Sequence, residues 1–174
     1  MKMENELTIR EVRAEDAEKL AEIYSWYVLN TAVSFEYAAP SAGEFEARIR
    51  KATEKYPYLV CLKQDRIIGY AYAGAYSPRE AYSWTVTVSI YLDRDFRRQG
   101  AGSLLYRALE ERLRAQGIVN LLAGVAYCDE EDEFLSHDSC LFHRNMGYEQ
   151  VARMKTVGKK FGRWYDLLWL QKKI

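Results

Sequence analysis

Residues 84 to 103 restrict the folds open to this chain more than any other stretch. Trp84, Val86, Val88, Ile90 and Leu92 fall on one face of an extended segment, and Thr85, Thr87, Ser89 and Tyr91 fall on the other, the period of a long strand. Arg97-Arg98-Gln99-Gly100-Ala101-Gly102-Ser103 follows and opens a helix predicted over Gly100 to Gln116. Its inward positions are expected to be Leu104, Leu105, Ala108, Leu109 and Leu113, with Arg107, Glu111 and Arg114 outward and Gly117 as C-cap. A central strand that feeds a helix through a glycine turn belongs to a layered α/β architecture, with the ligand site where strand passes into helix.

The flanking sequence fits that architecture. Leu7, Ile9 and Val12 suggest an opening strand, and Ala17, Leu20, Ala21, Tyr24, Tyr27 and Val28 recur at helical spacing. Ser41-Ala42-Gly43-Glu44 reads as a capping box for a helix with Phe45, Ile49 and Ala52 inside. Tyr58 to Leu62 and Ile67 to Ala75 form a predicted hairpin around Gln64-Asp65-Arg66. After the central helix come a strand over Leu121 to Tyr127, a short helix over Ser139 to Asn145, and strands over Tyr148 to Val157 and Trp164 to Leu170 joined by a turn at Gly158 to Gly162. The fold class is mixed α/β with helices on both faces of the sheet. With 174 residues, no repeats and no linker, a single domain over residues 1–174 is expected.

Charge narrows the partners. Lys plus Arg and Asp plus Glu are 25 each, so no basic field exists to hold nucleic acid or an anionic membrane, and any anion must be held locally. The glycine turn is suited to that. The first amides of a helix lack intrahelical partners, the macrodipole is positive there, and arginines add charge-assisted donors. The plain alternative is a tight turn with solvated arginines. Spacing rejects two other phosphate motifs: Gly-Lys-Ser/Thr is missing, and Leu105 stands where a dinucleotide fingerprint has a small residue. Cys61, Cys128 and Cys140 cannot all pair, and no metal-ligand spacing occurs, so no metal is expected. Free thiols, a charged Met1 to Arg13 and no apolar run near the roughly 20 residues of a membrane span lead to a cytoplasmic expectation.

Ser89-Ile90-Tyr91-Leu92 followed by Arg97-x-x-Gly100-x-Gly102 resembles the acetyl-CoA signature of the GNAT superfamily of N-acetyltransferases. Ser34-Phe35-Glu36, Gly69 to Ala73, Ala81-Tyr82-x-Trp84-Thr85-Val86, Phe142-His143-x-x-x-Gly147-Tyr148 and Lys160 to Trp164 resemble its phosphinothricin acetyltransferase branch. The resemblance implies a mostly antiparallel, twisted sheet in which the central strand splays at a bulge from a parallel neighbour, Leu121 to Tyr127. It implies acetyl-CoA as cosubstrate, with the pantetheine arm along Ile90, Tyr91 and Leu92. The diphosphate would lie on Arg97, Arg98, Gln99, Gly100, Ala101, Gly102 and Ser103, with Ser139 touching the arm. Valine at Gly100 or Gly102 is expected to block it and spare the fold. The acceptor implied is a small-molecule amine, an amino acid or analogue, and a homodimer is possible after the family's habit.

The branch usually places a glutamate base where this chain has Thr87, whose hydroxyl can orient water but cannot hold a proton at neutral pH. Thr87 and His143 are thus the catalytic candidates, with Glu36, His137, Asp138 or bulk water as possible bases. His143 stands where relatives carry a tyrosine or histidine near the sulfur; the plainer reading is a helix histidine satisfied by a carbonyl. Phe35, Glu36, Arg79, Tyr82 and Trp164 are the substrate candidates, against ordinary packing and surface charge. Asp129 to Glu133 lacks calcium-loop spacing and reads as a solvated loop. The rival to the enzyme is an acyl-CoA sensor that has lost catalysis at Thr87.

Overall fold

The computed structural model describes residues 6–174; Met1 to Asn5 of the charged N-terminal stretch lie outside the described residues. Seven strands, β1 (Leu7–Glu11), β2 (Tyr58–Lys63), β3 (Arg66–Ala75), β4 (Thr85–Leu92), β5 (Asn120–Tyr127), β6 (Glu149–Lys160) and β7 (Arg163–Lys173), form one sheet in the order β1-β2-β3-β4-β5-β7-β6. Helices α1 (Ala17–Asn30) and α2 (Ala42–Thr53) cover one face, and α3 (Ala101–Ala115) and α4 (Asp138–Asn145) cover the other.

Two large cores result, one per face, beside a smaller cluster of Ala32, Ala126, Leu135 and Tyr165. Leu105, Leu109 and Leu113 of α3 pack on Leu59, Ile68, Val86 and Val88, while Leu20, Ile23, Phe45 and Ile49 pack on Tyr58, Val60 and Tyr70. The α2 box forms as predicted: the Ser41 hydroxyl accepts from the Glu44 amide at 3.2 Å, and the Glu44 carboxylate accepts from the Ser41 amide at 2.7 Å. A cap of this kind is worth about 1 kcal/mol.

The feature that positions the site lies between β4 and β5. They pair in parallel only from Thr85 to Thr87 against Asn120 to Leu122. Beyond that β5 stays with β7 and β4 stays with β3, so the two strands part. The expected bulge in β4 is not what parts them, because the β3–β4 register runs unbroken from Gly69↔Leu92 to Ala75↔Val86. Each strand follows its antiparallel partner, and the gap is the divergence of those two ladders.

Other expectations need correction. Trp84 is 58% exposed and precedes β4, its carbonyl accepting from the Val119 and Asn120 amides. Leu104 is exposed; Tyr106 and Glu110 take inward places on α3 instead, Tyr106 against Phe142 and Tyr148, and Glu110 in a pair with Lys172 at 2.8 Å. The β6–β7 turn is Phe161-Gly162 rather than five residues; both have positive φ (50° and 74°), which closes the hairpin tightly and leaves Gly158 to Lys160 paired. The acidic run is tied down. Asp132 accepts from the Phe134 and Leu135 amides and the Tyr165 hydroxyl, each at 2.8 Å, while Glu133 pairs with Arg163 and Asp129 with Arg153.

Candidate active site

Past Thr87 the gap widens into a cleft of about 380 Å³ at the C-terminal end of β4. Ile90 and Leu92 form one wall, Arg97, Arg98, Gly100, Gly102 and Ser103 the rim, and Ser139, Leu141, Phe142 and Asn145 of α4 the far side. A chamber of about 50 Å³ adjoins it, sharing Val33, Ile90 and Ser139 and reaching Ser89, Val125 and His143.

The rim has the donor set of a diphosphate cradle. Gly100 is the N-cap of α3 at φ +88°, a left-handed conformation that glycine adopts freely. The Leu104 amide bonds the Gly100 carbonyl at 3.1 Å, so the amides of Ala101, Gly102 and Ser103 precede the intrahelical ladder. The glycines serve different ends. A Cβ on Gly100 would meet nothing within 4 Å, whereas one on Gly102 would lie 3.0 Å from the Phe142 ring and 3.6 Å from Leu92. Gly102 therefore also sets the approach of α3 to α4, and valine there would press on the Phe142 ring. Arg97 stacks over Tyr27 and Trp26 at 5.2 and 5.4 Å, and the Tyr27 hydroxyl donates to the Leu92 carbonyl at 2.6 Å. Arg98 reaches across the mouth to Asp138 at 3.2 Å. Donors, shape and charge fit the diphosphate and pantetheine of acetyl-CoA.

Not every cofactor candidate faces this cleft. Gln99 turns away to accept from Lys63 at 2.8 Å. Ala101 is 1% exposed, its methyl in the core, and Tyr91 borders the small chamber while its ring packs against Tyr24 and Tyr27 on the opposite face. These three offer backbone rather than side chain.

The catalytic candidates are placed differently from expectation. Thr87 lines neither cavity, and its hydroxyl donates to the Gly74 carbonyl at 3.3 Å. His143 borders the chamber but is 4% exposed, with Nδ1 2.7 Å from the Ser139 carbonyl and Nε2 2.8 Å from the Tyr106 hydroxyl. A carbonyl only accepts, so Nδ1 carries the proton. Burial pushes the imidazole pKa below its ordinary value against the opposing Ser139 bond. The neutral ring then accepts at Nε2 and has no free proton to give. The helix-histidine reading is the one this geometry fits.

The other bases are likewise engaged. Glu36 is held by the Arg48 fork at 2.6 and 3.0 Å, which keeps its carboxyl below the usual range despite partial burial. Asp138 faces Arg98, and His137 Nε2 is 2.8 Å from the Cys128 carbonyl.

Among the substrate candidates, Phe35 lies on Gly158 so closely that a Cβ there would be 2.4 Å from its ring. Phe35 and Glu36 follow Val33, which borders both cavities. Arg79 and Tyr82 are exposed and sit before β4, the opposite end of that eight-residue strand from the glycine turn, a separation of about 25 Å. Tyr82 packs on Tyr76, and Trp164 is 58% exposed beneath Lys159. None of the five substrate candidates lines either cavity; Phe35 and Glu36 come nearest, through Val33. Sequence reasoning missed Tyr27, Phe142 and Arg48, because an aromatic on a helix stripe and an arginine on a solvent face announce nothing of a partner 65 or 12 residues away.

Among the described residues there is no cluster able to hold a metal ion and no helix long and apolar enough to cross a membrane. Residues 9–169 match the family model of the acetyltransferase (GNAT) domain. The chain is 34% identical over 166 residues to a phosphinothricin N-acetyltransferase of Alcaligenes faecalis, covering 95% of this chain and 81% of that one. It is also 34% identical over 169 residues to an L-methionine sulfoximine/L-methionine sulfone acetyltransferase of Pseudomonas paraeruginosa, covering 94% and 92%. The crystal structure of a GNAT superfamily phosphinothricin acetyltransferase from Sinorhizobium meliloti in complex with acetyl-CoA superposes with a TM-score of 0.88 at 35% identity, over 97% of this chain and 88% of that one. Similarity to acetyltransferases over nearly the whole length does not favour the impaired sensor. A splayed β4–β5 pair, a glycine-capped α3 and a matching domain model together lead to one assignment: the chain belongs to the GNAT acetyltransferases and is an N-acetyltransferase that uses acetyl-CoA.

Proposed function

We propose that this enzyme acetylates the amino group of a small amino acid or analogue, of the phosphinothricin or methionine sulfone kind, by direct transfer. The observation that carries the reading is the cleft continuing past Ile90 into a chamber of about 50 Å³, room for an acetyl group beside the unpaired edge of β4. Bound acetyl-CoA supplies a thioester: the amine nitrogen bonds to the acetyl carbon, the carbon–sulfur bond breaks, and the proton lost by nitrogen ends on the thiol.

The chain's own part is to hold and orient. The amides of Arg98 to Ser103 and the guanidinium groups of Arg97 and Arg98 grip the diphosphate. The backbone of β4 from Ile90 to Leu92, which has no β5 partner, pairs with the pantetheine arm, and an amide near Ile90 faces the developing oxyanion. Ser139 touches the arm, and His143 with Tyr106 shapes the chamber wall. Phe35 and Glu36 border the acceptor, and Thr87 leaves amine deprotonation to water. The reading extends to one domain over residues 1–174, to the cytoplasm, supported by three free cysteines, and to a homodimer, after the family resemblance.

The test is a thiol-release assay with acetyl-CoA over methionine sulfone, phosphinothricin, the common L-amino acids, a polyamine and a lysine peptide. Turnover on the first groups, with the acetyl group found on the α-nitrogen of the product, is expected. Turnover confined to the polyamine or peptide, or nucleotide binding without turnover, overturns it.

A further inference from the structure

Lys160, the last residue of β6, is 4% exposed, and its ammonium is satisfied by carbonyls. Its Nζ donates to Val28 at 2.7 Å, Thr31 at 2.8 Å and Ser34 at 2.6 Å, one acceptor for each of its three protons. Val28 lies in the last turn of α1 and Thr31 is its C-cap, so a cation from a strand more than 120 residues away closes the negative end of that helix. Burying an ammonium is costly, and an apolar side chain of the same reach would avoid that cost only by leaving the three carbonyls without their donor.

What the lysine holds is the wall of the reaction chamber. Val33, which borders both cavities, is suspended between the anchored carbonyls of Thr31 and Ser34. The Ser34 hydroxyl bonds Tyr24 at 2.8 Å and accepts from the Glu36 amide at 3.2 Å. Phe35 rests on Gly158, two residues before Lys160, so both sides of the contact belong to the stapled pair of segments. We infer that Lys160 is a positioning residue of the transfer reaction: by binding three carbonyls it fixes residues 31–36 and thereby sets Val33 against the thioester chamber and Phe35 and Glu36 on the acceptor side. The inference rests on the reading above that this segment borders the acceptor.

Lys160→Met keeps reach and volume and removes every donor. With methionine sulfone as acceptor, assayed well below the melting temperature, it is expected to raise the acceptor KM at least tenfold while the acetyl-CoA KM moves less than twofold. Amide exchange at residues 33–36 is expected to accelerate at least tenfold, with that of α3 unchanged. Equal loss in both KM values, or an unmoved acceptor KM, overturns the inference. Lys160→Gln, which keeps two donors, is measured alongside; if neither variant folds, the lysine is a structural cap and the inference falls. Phe35→Ala separates the two readings. Should it raise the acceptor KM while Lys160→Met does not, only the positioning role fails; should neither move it, the acceptor-side reading fails as well.

Discussion

Replacing Gly100 by alanine isolates backbone conformation from contact. The residue sits at φ +88°, and an added Cβ would meet nothing within 4 Å, so no clash contributes. The whole penalty is that of forcing an L-residue into the left-handed region, about 1–2 kcal/mol. That energy has two outlets. If the turn keeps its shape, the fold bears the strain and the melting temperature drops by about 2–8 °C for a chain of this size. If the turn relaxes in the free protein, the cradle must be rebuilt on binding, and the dissociation constant for CoA rises by about 5- to 30-fold. Titration calorimetry with CoA beside thermal denaturation reads both outlets, whose sum is expected to lie near 1–2 kcal/mol. A variant unchanged in both measurements removes the glycine turn from the site, and an affinity loss beyond about a thousandfold refutes a purely conformational role.

Gly43 is the opposite case: a helical glycine in α2 whose Cβ would meet nothing within 4 Å, so Gly43→Ala is expected to stabilise by about 0.4–1 kcal/mol in urea titration, and a loss would contradict it. His143 is expected to titrate below its ordinary value by imidazole NMR, since burial disfavours its cation; as pH falls from 6.5 toward the folded value the unfolded chain takes the proton first, and stability is lost over that window. His143→Gln is expected to cost about 1–3 kcal/mol of stability but less than tenfold in kcat, whereas a thousandfold loss in a stable variant would make it the proton donor. Burial pushes the Asp16 carboxyl up, but the Arg10 fork at 2.7 and 2.9 Å and the Arg13 amide hold it below its ordinary value. Its contribution is therefore present above about pH 4 and lost as pH falls through the folded value, so Asp16→Asn is expected to flatten the acid limb of the stability curve; parallel limbs would refute the assignment. Because residue 87 lines neither cavity, Thr87→Glu is expected to leave kcat/KM at pH 7 within about twofold; a tenfold rise at pH 7 that vanishes at pH 9, where an α-amine is already neutral, would place that side chain at the acceptor.

The parts of the fold legible in the sequence are those in which burial on one face writes a period. The alternation of β4, the stripe of α1 and the Ser41 box survive because neighbours two to four residues away decide them. What escaped was set by partners far along the chain. Glu110 takes an inward place on α3 because Lys172 meets it 62 residues later, and Lys160 reads as solvent until α1 is seen to end over it. His143 suggests proton transfer because an unperturbed imidazole titrates near neutrality, but its partners Tyr106 and Ser139 consume both nitrogens. Arg79 and Tyr82 lay close to β4 in sequence; which end of the strand carries the glycine turn puts them far from it. The turn itself was legible because helix termini and positive φ are local demands.

The engagement of every candidate base bears on how the reaction is driven. An α-amine with a pKa of about 8 is roughly a tenth neutral at pH 7, so the lack of a side-chain base withholds about 1.4 kcal/mol at most from a well-placed acceptor. Holding amine and thioester in line is worth about 7–11 kcal/mol. The geometry of the walls therefore contributes far more to the rate than a proton acceptor does. The structure is built in that order: the cleft rim rests on an aromatic shelf of Trp26 and Tyr27, the chamber wall on the Tyr106–His143 pair, and the segment bearing Val33 and Phe35 on three bonds from one buried lysine. A threonine at position 87 is then compatible with turnover, provided the scaffold around the thioester stays rigid.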